Sequence, residues 1–365
     1  MIESSSRDYQ PQIHEQHNQL QVMLVDDDAV FRNMMRGFLT SCGYKVLEAS
    51  NGLEGLQQLR DQVPDLVISD LSMPILDGIE FVEEVCWEYP SLPMIVVSAT
   101  ENMSDVAKAL RFGIKDFLTK PIGDLNHLKS AIENTLSDAD QENADQRDFA
   151  SQWFGVDENV ALPEEQELHW HLGYLQQNPN MARQLLEALL PERDTEQGGW
   201  KCGYRLLQSS EGQPLVFDYA WVMDGQFAFY IVDASSGEET SVATTLLIRA
   251  LFNDYLRSHG HEHVDLAGMV KTITQGIQCS DYAGSINALF GIADMTDESV
   301  CFAPAGLEAT WSNGMTTTKL VSTIALGELA RTEVITLGMT GGGQLNFNKV
   351  GSLSFSLDIT QNQFQ

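Results

Sequence analysis

Short apolar runs alternate with helix-period stretches along the first third of the chain. Val22–Val25, Lys45–Ala49, Leu66–Ser69, Met94–Ser98 and Lys115–Leu118 are each four or five residues long and bounded by turn formers such as Gly43, Pro64, Pro93 and Gly113. Between them, segments with apolar residues at helical spacing begin near Asp28, Gly52, Gly78, Met103 and Asp124. Five strand–helix units in so short a stretch predict one α/β domain over residues 20–136, a doubly wound, five-stranded parallel sheet. Residues 1–19 read as a polar tail.

The rhythm then changes. Asp138 to Glu167 carries ten acids and one arginine, Arg147, with little periodicity. A helical hairpin is expected next, His169–Gln176 and Met181–Leu190 around a turn at Asn178-Pro179. Residues 137–195 therefore read as an acidic and helical connector. Beyond it, over 196–365, Tyr219–Val222 and Gln226–Asp233 flank Asp224-Gly225, a pair that signals a two-residue type I′ hairpin. Helices are expected over Ser241–Arg257 and Val264–Ile277. Strands follow at Asn287–Ala293, Val300–Pro304, Lys319–Ser322, Glu333–Leu337 and Ser352–Leu357. Strands, then helices, then strands predict a second, α+β domain with mainly antiparallel pairing.

Composition narrows the function. With 21 Lys and Arg against 52 Asp and Glu, the 365-residue chain has a formal charge of −31. No basic cluster offsets this, which argues against nucleic-acid binding. No stretch approaches the roughly 18 apolar residues of a membrane span, and the first twenty residues do not read as a signal peptide. Cys42, Cys86, Cys202, Cys279 and Cys301 are scattered and form no C-x-x-C. They read as reduced core thiols, which fits a cytoplasmic protein.

The chemistry gathers at the ends of the predicted strands. Strand one runs into Asp26-Asp27-Asp28, strand three ends at Asp70, strand four at Ser98 and strand five at Lys120-Pro121. In an open parallel sheet these are all carboxyl ends, so the groups converge on one edge, beside the crevice where the strand order reverses. Clustered carboxylates repel one another unless a cation sits among them. Oxygen-only donors point to a hard ion, and Mg²⁺ fits best. A carboxylate beside Mg²⁺ suits nucleophilic attack on a phosphoryl group, with Lys120 and the Ser98 hydroxyl placed for its oxygens. The acidic run leaves the register of the metal pair open by one residue. Asp26 and Asp27 are favoured because Val25 ends the apolar run.

VMLVDDDAVFR, VISDLSMPILDG, MIVVSAT and KDFLTKP resemble the motifs of two-component response-regulator receiver domains, over about residues 20–136. The resemblance implies that Asp70 accepts the phosphoryl group, from a histidine kinase or acetyl phosphate. It implies Asp26 and Asp27 as the acidic pair for Mg²⁺, joined by Asp70 and the backbone carbonyl of Ser72. Ser98 is then the switch hydroxyl, Phe117 the rotating aromatic and Lys120 the phosphoryl-binding lysine, before a cis bond to Pro121. SATENMSDVAKALRFGIKD, with the chain's length and layout, is similar to response-regulator adaptors that hand the general-stress sigma factor, sigma S, to the ClpXP protease. That likeness implies ClpX and sigma S as partners, and anti-adaptor proteins as antagonists.

FAFYIVDASSGEE, CFAPAGLEAT and STIALGE resemble segments of PP2C-type serine phosphatases. That chemistry needs several aspartates around two metal ions. Asp233 is one candidate. Asp218 and Asp224 lack the expected Gly-Asp setting, and no late Asp-Gly pair exists, Asp358 standing in Leu-Asp-Ile. The rear half is therefore expected to be a phosphatase-like binding module without catalysis. Its rivals are a receiver-controlled phosphatase acting on an anti-sigma-factor antagonist and a receiver-gated scaffold for another partner. The run from His259 to His263 is expected to be an exposed loop.

Overall fold

The computed structural model describes residues 19–99, 103–123, 125–139, 172–209, 213–222, 225–259, 263–329, 331–349 and 353–361. The front half alternates β1 (Gln21–Val25), α1 (Ala29–Ser41), β2 (Lys45–Ala49), α2 (Gly52–Asp61), β3 (Leu66–Ser69), α3 (Gly78–Glu88), β4 (Met94–Ser98), α4 (Met103–Phe112), β5 (Asp116–Thr119) and α5 (Leu125–Ala139). Every residue of β1, β3 and β4 is buried, as expected of strands covered by helices on both faces. The sheet is parallel, in the order β2-β1-β3-β4-β5. The chain leaves β1 toward β2 on one side and returns to β3 on the other, so a crevice opens at the carboxyl ends of β1 and β3.

The rear half begins with helical residues 172–177 and α6 (Pro179–Ala188), then β6 (Asp194–Gln197), β7 (Trp200–Gln208), β8 (Leu215–Val222) and β9 (Gln226–Asp233). Helices α7 (Ser241–Ser258) and α8 (Leu266–Cys279) follow. The chain ends in β10 (Asn287–Asp294), β11 (Ser299–Ala305), β12 (Ala309–Ser312), β13 (Thr317–Leu320), β14 (Ile335–Gly338), β15 (Gly342–Lys349) and β16 (Leu353–Gln361). They form two sheets, β14-β11-β10-β9-β8 and β13-β12-β15-β16-β7-β6, with every pairing antiparallel. Phe217, Phe229, Phe302, Trp311 and Phe355 share one buried cluster drawn from both sheets. Side chains from the other face of the five-stranded sheet, including Tyr230 and Phe290, pack with α7 and α8, Tyr230 lying edge-on to Phe252. The expected α/β front and antiparallel α+β rear are both present.

Several local expectations need correction. Val222 pairs with Gln226, so three residues join β8 to β9 instead of two, and Gly225 takes φ +79°. A left-handed glycine closing a three-residue loop is the next commonest hairpin solution. Strands β6, β7, β12 and β15 were not expected. The thiols do not all lie in the core: Cys202 is buried, Cys42, Cys86 and Cys301 are half-buried and Cys279 is exposed. The run 260–262 lies outside the described residues, but its flanks are anchored. His259 stacks on Tyr255, and His263 contacts Asp294 at 3.3 Å and Gln226 at 3.0 Å.

The two halves touch through helices. α4 packs on α6, and Val106, Ala109 and Leu110 share one apolar core with Ala182, Leu185 and Leu186. Arg111, in the last turn of α4, lies near enough to the Tyr204 phenol of β7 to oppose the upward push that burial gives it. No helix among the described residues is long and apolar enough to cross a membrane.

Candidate functional site

Backbone pairing fixes the site. The Asp70 amide donates to the Val25 carbonyl, holding the residue after β3 beside the end of β1. Gly78 allows this: a Cβ there would stand 2.4 Å from the Asp70 carbonyl oxygen and from the Leu71 Cα. No side chain fits against that backbone, so α3 can begin beneath the site only with glycine.

Asp26, Asp27 and Asp70 each offer a carboxylate oxygen, all within 4.8 Å of one another. Asp28 is turned away. Its carboxylate accepts from the amides of Val30 and Phe31 as the N-cap of α1, and those bonds hold it below the usual carboxylate range. The acidic run thus divides into two residues facing the crevice and one starting a helix.

Lys120 reaches across from the end of β5, its ammonium 2.5 Å from Asp26 Oδ2 and 2.6 Å from Asp70 Oδ2. Ser98 donates its hydroxyl to Asp70 Oδ1 at 2.6 Å, and the Ser72 amide donates to the same oxygen at 3.1 Å. Asp26 is 1% exposed, and this burial pushes its carboxyl above the usual range despite the opposing pull of Lys120. Lys120 thus pairs with Asp26 and Asp70, and Asp27 adds a third carboxylate within 4.8 Å of them, leaving a surplus of negative charge that a divalent cation would balance. Oxygen-only donors of this kind fit Mg²⁺. A cleft of about 530 Å³ opens alongside, lined by Asp27, Ser72, Met73, Pro74 and Asp105. Phe117 is buried in the core one strand away, and the Lys120–Pro121 peptide is cis.

Two contributors escaped the sequence reading. The Lys120 ammonium lies 4.2 Å from the ring centre of Phe31, a cation–π contact that helps hold it. Arg32 donates to the Asp26 backbone carbonyl at 2.5 Å. Both sit in the first turns of α1, directly after the acidic run, which was the available signal.

The rear half presents a different picture. Asp233, at the end of β9, accepts from the Ser235 amide and hydroxyl and from the Lys349 ammonium at 3.2 Å. Lys349 also meets the Ser235 hydroxyl at 3.1 Å. Asp218 is paired with Arg249, and Asp358 accepts from Gln344. Asp224 lies outside the described residues.

Residues 22–133 match the family model of the response regulator receiver domain. Over 313 residues the chain is 29% identical to the Regulator of RpoS of Escherichia coli (strain K12), spanning 85% of this chain and 88% of that protein. It is 38% identical over 120 residues to the transcriptional regulatory protein GlrR of the same organism, covering 33% of this chain and 27% of that one. A response regulator receiver protein from Pseudomonas putida aligns at 30% identity with a TM-score of 0.30, covering 32% of this chain and 96% of that one. Residues 22–133 of the chain therefore match a response regulator receiver domain, and along most of its length the chain is similar to the Regulator of RpoS.

Proposed function

We propose that this chain is a phosphorylation-controlled adaptor that binds the stationary-phase sigma factor, sigma S, and delivers it to the ClpXP protease in the cytoplasm. The carrying observation is the receiver site with Ser98 and Lys120 both on Asp70, in a chain similar to a Regulator of RpoS along most of its length. We place the receiver at residues 20–136, the connector at 137–195 and the effector module at 196–365.

Asp70 is the phosphoryl acceptor in this reading. One carboxylate oxygen forms the new bond to phosphorus as the bond to the donor's leaving group breaks. Asp26, Asp27, Asp70 and the Ser72 carbonyl would hold Mg²⁺, which when bound neutralises clustered carboxylate and phosphoryl oxygens. Lys120 already touches Asp70 and meets the added charge as a point cation. The Ser98 hydroxyl bonds a phosphoryl oxygen, and Phe117 occupies the space behind it. Helix α4 starts five residues after Ser98 and packs on α6, so a shift at Ser98 reaches the rear half through packed side chains. A coupling of about 1–3 kcal/mol would alter partner affinity about five- to 150-fold. Sigma S, a DNA-binding protein, would be steered electrostatically toward a chain of charge −31.

The phosphatase alternative finds less support. Lys349 stands on Asp233, where that chemistry would need a metal ion. The rear half in our reading binds partners, with anti-adaptor proteins competing for it.

The test is a reconstituted degradation assay with ClpXP and sigma S, with and without acetyl phosphate and Mg²⁺. Sigma S should be degraded only when this chain is present, and faster with the phosphodonor. Equal turnover without the chain would sink the adaptor reading.

A further inference from the structure

Trp87, on α3, is 85% exposed and makes no ring contact with another described residue. A single exposed apolar side chain is ordinary; its setting here is not. Glu80, Glu83, Glu84 and Glu88 are all exposed on the same helix, and none of their side chains has a hydrogen bond or ion pair among the described residues. Glu83 and Glu84 lie one turn before Trp87 on its own face. Glu80, Glu84 and Glu88 follow one another at four-residue spacing, which is mutually repulsive, and Glu88 opposes the helix dipole in a last turn without a basic residue. Lys115 approaches α3 at Cys86, which is turned toward the core. The helix therefore carries unrelieved charge around an unburied indole.

We infer that the α3 face around Trp87 docks a basic, arginine-bearing segment of a partner protein, with a guanidinium stacked on the indole and the glutamates pairing with its neighbours. Trp and Arg are the side chains that most often anchor interfaces, and an arginine over an indole face gains cation–π attraction. The glutamates exclude nucleic acid and anionic lipid by repulsion. A second copy of this chain meeting in a two-fold contact would set the same acids against themselves. A purely apolar partner would strip water from the acids without pairing them. This surface lies on α3, apart from the α4–α6 contact, and its docking does not depend on phosphate at Asp70.

The test measures binding of a synthetic amphipathic helical peptide, with arginines along one face, to the full chain by fluorescence anisotropy. Trp87→Ala should weaken binding about tenfold and Glu84→Lys at least as much, with Trp87→Phe falling between wild type and Trp87→Ala. Glu333→Lys makes the same charge change at an exposed residue of the rear half and should stay within about twofold of wild type. Circular dichroism should be unchanged in all four variants, since each replaces an exposed side chain. Unaltered binding in Trp87→Ala, or equal weakening by Glu84→Lys and Glu333→Lys, would overturn the inference and leave only diffuse attraction to an acidic chain.

Discussion

Each half of the molecule sets a lysine ammonium on an aspartate at the end of a strand, and the two pairs differ in what surrounds them. In the front half, Lys120 is shared between Asp26 and Asp70, with Asp27 alongside. Even with Arg32 on the Asp26 carbonyl, three clustered carboxylates outnumber the nearby cations, and a negative charge is left over. In the rear half, Lys349 faces Asp233, whose carboxylate also accepts from the Ser235 hydroxyl and amide. One cation faces one carboxylate, and the charge is balanced. A lysine beside an aspartate therefore does not define a function; the number of carboxylates around it separates a pocket that a divalent cation would balance from a clasp between two sheets.

Point substitutions sharpen that contrast. The largest effect is expected from Asp70→Ala, which should abolish phosphate uptake. In the degradation assay, sigma S delivery should become slower without being lost, because a two-state element keeps some active population unmodified. Complete loss would show that population to be negligible.

The next divides the acidic run. Asp27→Asn should lower Mg²⁺ affinity by at least about tenfold in calorimetric titration. Asp28→Ala should leave that affinity within about twofold yet lower the midpoint of urea unfolding, through loss of the α1 cap. Reversed results would put Asp28, and not Asp27, beside Asp26 in the metal pair.

Lys349→Ala probes the rear clasp. Lys349 is half exposed, so the loss should be at most about 1 kcal/mol. The variant should not gain Mn²⁺-dependent hydrolysis of a phosphoserine peptide; turnover would revive the phosphatase reading.

The smallest effect concerns pH. Asp26 binds its proton more tightly in the folded protein than at the ordinary value of 3.8, so its ionisation opposes folding. Its contribution to stability is greatest below 3.8 and is lost as pH rises through the folded value. Asp28 runs the other way: its contribution is present above 3.8 and is lost as pH falls through its lowered folded value. Asp26→Asn should raise the melting temperature of the metal-free protein at neutral pH and remove the gain that Mg²⁺ gives the wild type. A fall in melting temperature would contradict this.

The same contrast explains what could be read from sequence. The front strands carry nearly unbroken Val, Ile and Leu because helices cover both faces, and their polar residues stand where the strands stop. Strand ends in an open parallel sheet converge, so Asp26, Asp27, Asp70, Ser98 and Lys120 could be grouped from the order of residues alone. The Phe31 ring under Lys120 could not, because it depends on how α1 lies against the end of β5. In the rear half β7 is interrupted by Gly203 and Arg205, and β15 opens on Gly342-Gly343 and alternates with Asn and Gln. These half-polar strands lack the apolar runs that mark the front ones, and four went unseen. The pairing of Asp233 with Lys349 joins residues on different sheets and leaves no local motif.

The central claim is that phosphate enters the front half at one aspartate, held ready by a magnesium-demanding pocket, while the rear half does no chemistry. Peptide mass mapping of the intact chain after incubation with acetyl phosphate tests it most directly. The account predicts a single phosphate, labile to base and to hydroxylamine, on the peptide containing Asp70, present with Mg²⁺ and absent when the metal is chelated. No modification there under any condition, or phosphate captured by the rear half instead, would contradict it.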